Sequence, residues 1–434
     1  MSAPHRQSPP LSQVLRDPRL ALMLALGFSS GLPFLLIFST QSVWLREAGV
    51  SRSAIGLMSY AALAFAFKFA WAPIIDRFDP PGFGALLGRR RGWMLAAQIG
   101  VALGLAGLAF GDPAQALTWN VAFAFLTAFA AATQDATIDG WRIDAAPPER
   151  QGMMAAIYQL GYRLAMLCAG AGALYIADFV SWRAAYLAMA GLMVVGIGGC
   201  LLSPRLDSPP REAAARVAAF GEPLADLVRR YGATLVVILA LVAIYRLPDF
   251  VSGVMANPLY IDLGFSKSDI ATVSKLYGVW IGMAGAFGGG VAVARLGRMP
   301  SLLIGGFAAS ASHLTLAHLA ASGAQMSLLT LAVSVESFAS GFAGAALIAY
   351  MSSLVSPAFA ATQYALLSSL YALPGKFVGG LSGVMVDAFG YVRFFAATAT
   401  IGIPVVALTL IVWRLAAREE TDPAMTNVRE GAKL

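Results

Sequence analysis

Residues 20–44 read LALMLALGFSSGLPFLLIFSTQSVW, a run with no charged side chain. A hydrocarbon core takes about 20 predominantly apolar residues in helical form. The run is too long for the apolar region of a signal peptide and lacks a small-residue cleavage site, so it reads as a retained membrane helix. Residues 233–257, ATLVVILALVAIYRLPDFVSGVMAN, repeat its length and the place of its proline: Gly31-Leu32-Pro33 matches Arg246-Leu247-Pro248, 215 positions on.

The same criterion places further spans after the first at 53–75, 93–111, 117–140, 153–176 and 183–203. After the second it places them at 269–294, 299–320, 326–353, 361–386 and 393–415. A polar, Arg-rich stretch, 204–231, separates the two sets. The repeat continues beyond the prolines. Ser51-Arg52-Ser53-Ala54-Ile55 matches Ser266-Lys267-Ser268-Asp269-Ile270, and Asp178 with Trp182-Arg183 echoes Asp387 with Tyr391 and Arg393. The expected fold is an all-α membrane protein of twelve transmembrane helices. They form two pseudo-symmetric six-helix bundles, 1–203 and 232–434, joined by a linker at 204–231. Parallel repeats of this kind are a transporter layout, that of the major facilitator superfamily.

Composition agrees. Over 434 residues, 58% are apolar and 12% charged, and the mean hydropathy is +0.71. Soluble domains carry about twice that share of charge. The net charge of +7 does not mark a nucleic-acid binder, because the basic residues sit in short gaps between apolar runs. Cys168 and Cys200 lie within apolar runs and outline no disulfide framework. His313 and His318 are five apart and do not share a helical face, so no metal site is expected. No cofactor is expected either. An enzyme would need a nucleophile, a metal or a His–acid constellation, or a Gly-rich phosphate loop, and the chain shows none of these patterns.

Lys and Arg set the orientation. With both termini cytoplasmic, the basic residues on that side include Arg6, Arg16 and Arg19, Arg89 to Arg91, the linker arginines and the C-terminal tail. The opposite side holds only Arg46, Arg52, Arg183, Lys267 and Arg393. The positive-inside rule then expects both ends in the cytoplasm.

Nine ionisable side chains fall inside spans: Lys68, Arg163, Arg246, Lys275, Lys376, Asp135, Asp139, Asp249 and Glu336. Each costs about 2.5–3.5 kcal/mol at the bilayer centre on insertion scales, so they are expected to face a cavity or one another. Helical rise puts Lys68, Arg163, Glu336 and Lys376 near the midplane, where transporters of this layout bind their solutes. Lys275 lies about two turns from a span end and is as well explained by snorkelling. Arg246 and Asp249 are i, i+3 and can either pair on their own helix or act in gating. Asp135 and Asp139 are i, i+4, so two like charges share a face. That suits a group that gains and loses a proton during transport, and a structural pair with Arg163 or Arg142 is the alternative. Trp71, Tyr162, Tyr245, Tyr350 and Tyr371 lie near these charges in sequence. Basic groups beside aromatic faces fit an anionic, partly sugar-like solute.

Asp76-Arg77, followed by Gly88-Arg89-Arg90-Arg91-Gly92, resembles the loop 2–3 motif of the major facilitator superfamily, with Ala72 where the first glycine belongs and a longer spacing. The resemblance implies that Asp76, Arg77, Arg89 and Arg90 bias a conformational equilibrium. Positive-inside anchoring is the alternative for the arginines.

Longer stretches are similar to the AmpG-type muropeptide permeases, a branch of that superfamily related to acetyl-CoA transporters. They are Gly27 to Pro33, Phe67 to Pro73, Thr133-Gln134-Asp135 with Asp139 to Asp144, and Leu160 to Leu164. In the second half they are Tyr245 to Asp249 and Ala361 to Ser368. The resemblance implies a proton-coupled importer in the bacterial inner membrane. Its cargo would be N-acetylglucosaminyl-1,6-anhydro-N-acetylmuramyl peptides, moved from periplasm to cytoplasm for cell-wall recycling and, in some bacteria, β-lactamase induction. It implies a monomer whose partners are muropeptide, protons and membrane lipid, with no nucleic acid. Lys68, Trp71, Gln134, Tyr162, Arg163, Tyr245, Glu336, Gln363 and Lys376 then become solute-binding residues, and Asp135, Asp139, Asp249 and Arg246 coupling or gating residues. Lys376 stands where the family carries arginine, which keeps the charge and loses the bidentate geometry. A sugar, drug or acyl-CoA carrier of the same architecture is the alternative.

Overall fold

The computed structural model describes residues 18–421 apart from 72–73, 76–77, 146–147, 207–213 and 357–358. Every regular element among them is helical. In chain order come α1 (Pro18–Glu47), α2 (Arg52–Phe67), α3 (Arg89–Phe110), α4 (Leu117–Ala145), α5 (Met153–Phe179) and α6 (Trp182–Leu202). The linker helix α7 (Ala214–Tyr231) follows. Then come α8 (Thr234–Leu263), α9 (Lys267–Leu296), α10 (Arg298–Ser322) and α11 (Met326–Leu354). Two pieces, Ala360–Gly380 and 382–389, make up α12, and α13 covers 391–421. Among the described residues, ten helical runs are long and apolar enough to cross a membrane. With α2 and the first piece of α12 added, the helices are consistent with the twelve expected spans.

Three boundaries depart from the sequence reading. α2 is not a continuous helix: Arg52–Met58, a 3-10 turn at Ser59–Ala62, Leu63–Phe67 and a second 3-10 turn at Lys68–Ala70 succeed one another. The Ser59 hydroxyl donates to the Gly56 carbonyl at 2.7 Å, a local bond that competes with the helical ladder. Between α12 and α13 there is no six-residue loop. Gly390, at φ 75° and ψ 163°, turns the chain alone, in a conformation a Cβ would strain. The paired prolines also act differently. α1 loosens just after Pro33, at residues 37–38, whereas α8 breaks just before Pro248, at Tyr245-Arg246. Pro248 thus starts the second segment of α8, where its missing N–H leaves no ladder bond unmade.

By contacts the chain divides into two compact units. One comprises Met1–Val50, Ala61–Glu212 and Ser266–Ala271, and the other Ser51–Tyr60, Ala213–Phe265 and Thr272–Leu434. In the first, α1 and α5 lie backbone to backbone. A Cβ on Gly27 or Gly31 would meet the carbonyls of Tyr158 and Tyr162, and one on Gly161 the carbonyl of Leu24. Small residues spaced four apart allow this approach where lipid tails supply no hydrophobic drive. Gly161→Ala should therefore cost about 1–3 kcal/mol, while Gly172→Ala, with nothing within 4 Å of the added carbon, should leave stability unchanged or improved. Thermal midpoints of the two purified variants check this, and equal midpoints would remove the close packing as the cause.

In the second unit α9 and α11 approach in the same way. Gly285 and Gly289 face the carbonyls of Phe338 and Phe342, and Gly341 faces that of Gly282. Its apolar core gathers Leu241, Tyr245, Leu302, Ala343, Leu347 and Leu367. The core of the first unit gathers Met23, Leu26, Met94, Ile138 and Trp141.

Candidate functional site

Seven of the nine intramembrane charges fall into one cluster in each unit. In the first, Lys68 sits in the 3-10 turn that ends α2, with its ammonium 3.9 Å from Asp139 on α4. Arg142, one turn on, reaches the other Asp139 oxygen at 3.6 Å. Lys68 and Asp139 are one-third and one-half exposed, so the pair is held loosely and in contact with solvent-sized space. Asp135, one turn before Asp139, is half-buried; its Oδ1 is shielded and accepts no hydrogen bond. The hydroxyls of Ser30 and Tyr158 and the Lys68 charge lie beside it. The i, i+4 carboxylates thus divide: Asp139 is paired with cations, and Asp135 is held by the hydroxyls of Ser30 and Tyr158.

Near them Trp71 donates its indole N–H to Thr133 at 3.0 Å and packs on Phe129 with ring centres 4.7 Å apart. Tyr162 lies 6.4 Å from Tyr158, ring to ring. Arg163 is exposed on α5 and has no hydrogen bond or ion pair among the described residues, so of the two alternative pairs for the α4 carboxylates the one with Arg142 is present and the one with Arg163 is not. A guanidinium left in this state is available to an anion.

The second cluster is built on the break in α8. There Arg246 caps the segment Leu247–Leu263. Its Nε meets Asp249 Oδ2 at 3.1 Å, while Nη1 and Nη2 donate to the Ser340 carbonyl and hydroxyl at 2.7 and 2.9 Å. The i, i+3 pairing expected from sequence is present, and α11 completes it. Asp249 is almost buried, and its second oxygen faces His313 Nε2 at 3.6 Å. His313 is fully buried on α10 with neither ring nitrogen hydrogen-bonded. Glu336 on α11 lies within the field of Asp249, His313, Arg246 and Lys275. Lys275 does not snorkel: it donates to Asn257 at 3.1 Å from a π-helical stretch, Ile270–Tyr277. Such π turns occur often at functional sites. Lys376 is half-buried on α12.

Three residues expected at a solute surface lie inside the packing instead. Gln134 is fully buried and donates to Ser30 at 3.2 Å, tying α4 to α1. Tyr245, 1% exposed, donates to the Leu302 carbonyl at 2.7 Å, tying α8 to α10. Gln363 is fully buried and fastens α12 to the linker helix. Its oxygen accepts from Arg230 and the Ser356 amide, and its nitrogen donates to the Pro223 carbonyl and Asp226.

Burial alone would raise the Asp226 carboxyl, but the Gln363 amide and the Arg230 guanidinium outweigh it and hold the group below the ordinary carboxylate range. The stabilisation is therefore complete above the unfolded value of about 3.9 and fades only as pH falls through the lower folded value. The stability lost in Gln363→Ala should accordingly stay constant from pH 5 to pH 8. Thermal unfolding at both pH values checks this, and a loss that varies across that window would contradict it.

Of the loop motif, Asp76 and Arg77 lie outside the described residues. Arg89 opens α3. Arg90 is buried and bonds Asp144 at the end of α4 at 3.2 Å, and Arg91 donates to the carbonyls of Cys200 and Leu201. The motif thus fastens α3 to the ends of α4 and α6.

At the opposite end the repeat motif makes two matching clamps, one in each unit. Arg52 binds Asp262 at 2.7 Å and Asp387 at 3.2 Å, and Ser53 donates to Asp387 through its amide and hydroxyl. Lys267 pairs with Glu47 and Asp178, and Ser268 donates to Asp178 in the same double fashion. Sequence marked these residues as repeats without showing that each serine–basic pair seizes the aspartate of the other repeat element. Asn257 was missed, and His313 was weighed only as a metal ligand, because a histidine in an apolar run gives no sign of a charge partner until the fold sets it against Asp249.

Comparison with known proteins agrees with this arrangement. Residues 20–379 match the Major Facilitator Superfamily. The chain is 35% identical over 402 residues to the anhydromuropeptide permease of Escherichia coli K12, covering 92% of this chain and 80% of that protein. It is 32% identical to the putative transporter AmpG 4 of Rickettsia conorii, covering 91% and 96%. Among solved structures, a bacterial homolog of the human lysosomal transporter Spinster, inward-facing and unoccupied, superposes with a TM-score of 0.68 at 16% identity, covering 94% and 98%. These relatives are permeases and transporters, not enzymes. The chain is a multi-pass membrane transporter that belongs to the major facilitator superfamily and, within it, to the AmpG-type permease family.

Proposed function

We propose that this protein imports anhydromuropeptides from periplasm to cytoplasm together with protons, by alternating access of two six-helix halves, 1–203 and 232–434, joined by 204–231. Kinship across nearly the whole chain to the anhydromuropeptide permease supports the solute class. The charge asymmetry supports an inner-membrane protein with both termini cytoplasmic, and the protein is assigned to act as a monomer. Lys68, Arg163 and Lys376 are assigned to the carboxylates of the peptide stem, and Trp71 and Tyr162 to the sugar faces. Gln134, Tyr245 and Gln363 are assigned to the scaffold. Asp135 is the candidate proton carrier, Asp139 its loosely paired neighbour, and Arg246, Asp249 and Glu336 form the charge network that answers it.

The test is uptake of labelled N-acetylglucosaminyl-1,6-anhydro-N-acetylmuramyl tripeptide into spheroplasts, with free sugars and acetyl-CoA as competitors. The proposal expects uptake that the unlabelled muropeptide blocks and the others do not. Uptake no greater than in the deletion strain, or blocked as well by a free sugar, would overturn it. In the same assay Lys68→Ala should weaken solute affinity about tenfold, the worth of one charge-assisted hydrogen bond. Unchanged affinity would remove Lys68 from the site.

A further inference from the structure

The two units repeat each other closely at the linker end. Gly88 and Gly297, 209 residues apart, precede α3 and α10 with nearly the same backbone, φ 76°, ψ 167° and φ 89°, ψ 172°. α4 and α11 begin and end at the same offset. That offset carries Arg90 to Met299, Asp144 to Ser353 and Trp141 to Tyr350. In the first unit Arg90 and Asp144 form a buried ion pair that fills this corner. In the second unit both charges are gone, and a cavity of about 250 Å³ lies there, lined by Met299, Ser353 and Tyr350 among others.

The cavity has the chemistry of an anion site. Its polar lining residues are Arg298, Tyr231, Thr234, Tyr350 and Ser353, with no carboxylate among them; the hydroxyls of Tyr231 and Ser353 already donate to the carbonyls of Leu354 and Tyr350, which leaves Arg298 and Tyr350 to face an anion. Arg298 is exposed and makes no hydrogen bond or ion pair among the described residues. Tyr350 is 5% exposed, yet its hydroxyl has no hydrogen-bond partner among them. The Tyr350 side chain is buried, and its hydroxyl and the Arg298 guanidinium are two donors at one cavity that a single anion can accept from. The opposite wall is apolar, from Ile238, Met299 and Val412. At about 250 Å³ the space falls below the 300–1,000 Å³ that drug-sized ligands take, so it admits a single small group and not a disaccharide peptide. Basic pockets between transmembrane helices bind anionic head groups, and arginine matches phosphate oxygens bidentately.

We propose that this corner of the second unit is a phosphoryl-binding site, separate from the transport pathway, which takes the phosphate of an anionic lipid head group or a free phosphate. The experiment follows thermal unfolding of the detergent-purified full chain against dioctanoyl-phosphatidylglycerol, dioctanoylglycerol and inorganic phosphate, at constant ionic strength. A midpoint that rises with the phosphatidylglycerol and not with dioctanoylglycerol supports the site with a lipid source. A rise with inorganic phosphate supports it with a free-anion source. In either case Arg298→Ala should weaken the apparent affinity at least about tenfold. Tyr350→Phe, which keeps the ring and its packing, should weaken it less. No shift with either phosphate probe, an equal shift with dioctanoylglycerol, or an undiminished shift in Arg298→Ala would overturn the proposal.

Discussion

Asp135→Asn is expected to abolish accumulation of the muropeptide while leaving exchange across the membrane within about threefold of the wild type. Asp135 is the carboxylate of the first cluster that is held by hydroxyls, those of Ser30 and Tyr158, which can stay in place when it gains or loses a proton. Its Oδ1 is shielded and unbonded, while Asp139, one turn away, is taken by Lys68 and Arg142. Asparagine keeps the shape and a hydrogen-bonding oxygen, so solute binding and helix packing persist. It cannot carry a proton. Each coupled proton should support about tenfold accumulation per unit of pH difference, since 1.4 kcal/mol is a factor of ten. Loss of that factor should bring the variant to simple equilibration. Counterflow and gradient-driven uptake in one preparation separate the two activities, and equal loss of both would make Asp135 a structural group.

The largest stability effect is expected at Asp249. This carboxylate is 9% exposed, bound by Arg246 at 3.1 Å and faced by buried His313. A buried ion pair gains little over an apolar replacement, but removal of one partner leaves the other charge uncompensated, at about 3–5 kcal/mol. Asp249→Ala should therefore destabilise the protein by about that amount, because Arg246 retains only Ser340. The double variant Asp249→Leu with Arg246→Met should recover much of the loss. Thermal unfolding of the three proteins decides it: a double variant as unstable as Asp249→Ala would show that the charges hold the helix break in some other way.

These sites show what the sequence makes legible. The spans and the repeat follow from hydropathy and from echoes such as Pro33 with Pro248, because membrane insertion acts on local composition. The Arg246–Asp249 pair is legible because i, i+3 geometry is local. The Lys68–Asp139 pair and the approach of His313 to Asp249 depend on which helices meet, and span periodicity is silent on that. Gln134, Tyr245 and Gln363 show the same limit from the other side. Their family motifs identify them as important without saying whether their faces look into a cavity or into a neighbouring helix. The breaks in α2 and at Gly390 escaped because Ser59 and a single glycine reshape the backbone inside runs that remain uniformly apolar.

Proteoliposomes test the central claim of proton-driven muropeptide transport most directly. Purified protein is reconstituted, a pH difference is imposed, and internal labelled anhydromuropeptide is measured with and without an uncoupler. The account predicts accumulation above the external concentration, driven by protons flowing down their gradient, and its collapse to equilibrium when the uncoupler is added. Uptake that equilibrates without accumulation, or that the uncoupler leaves unchanged, would contradict it.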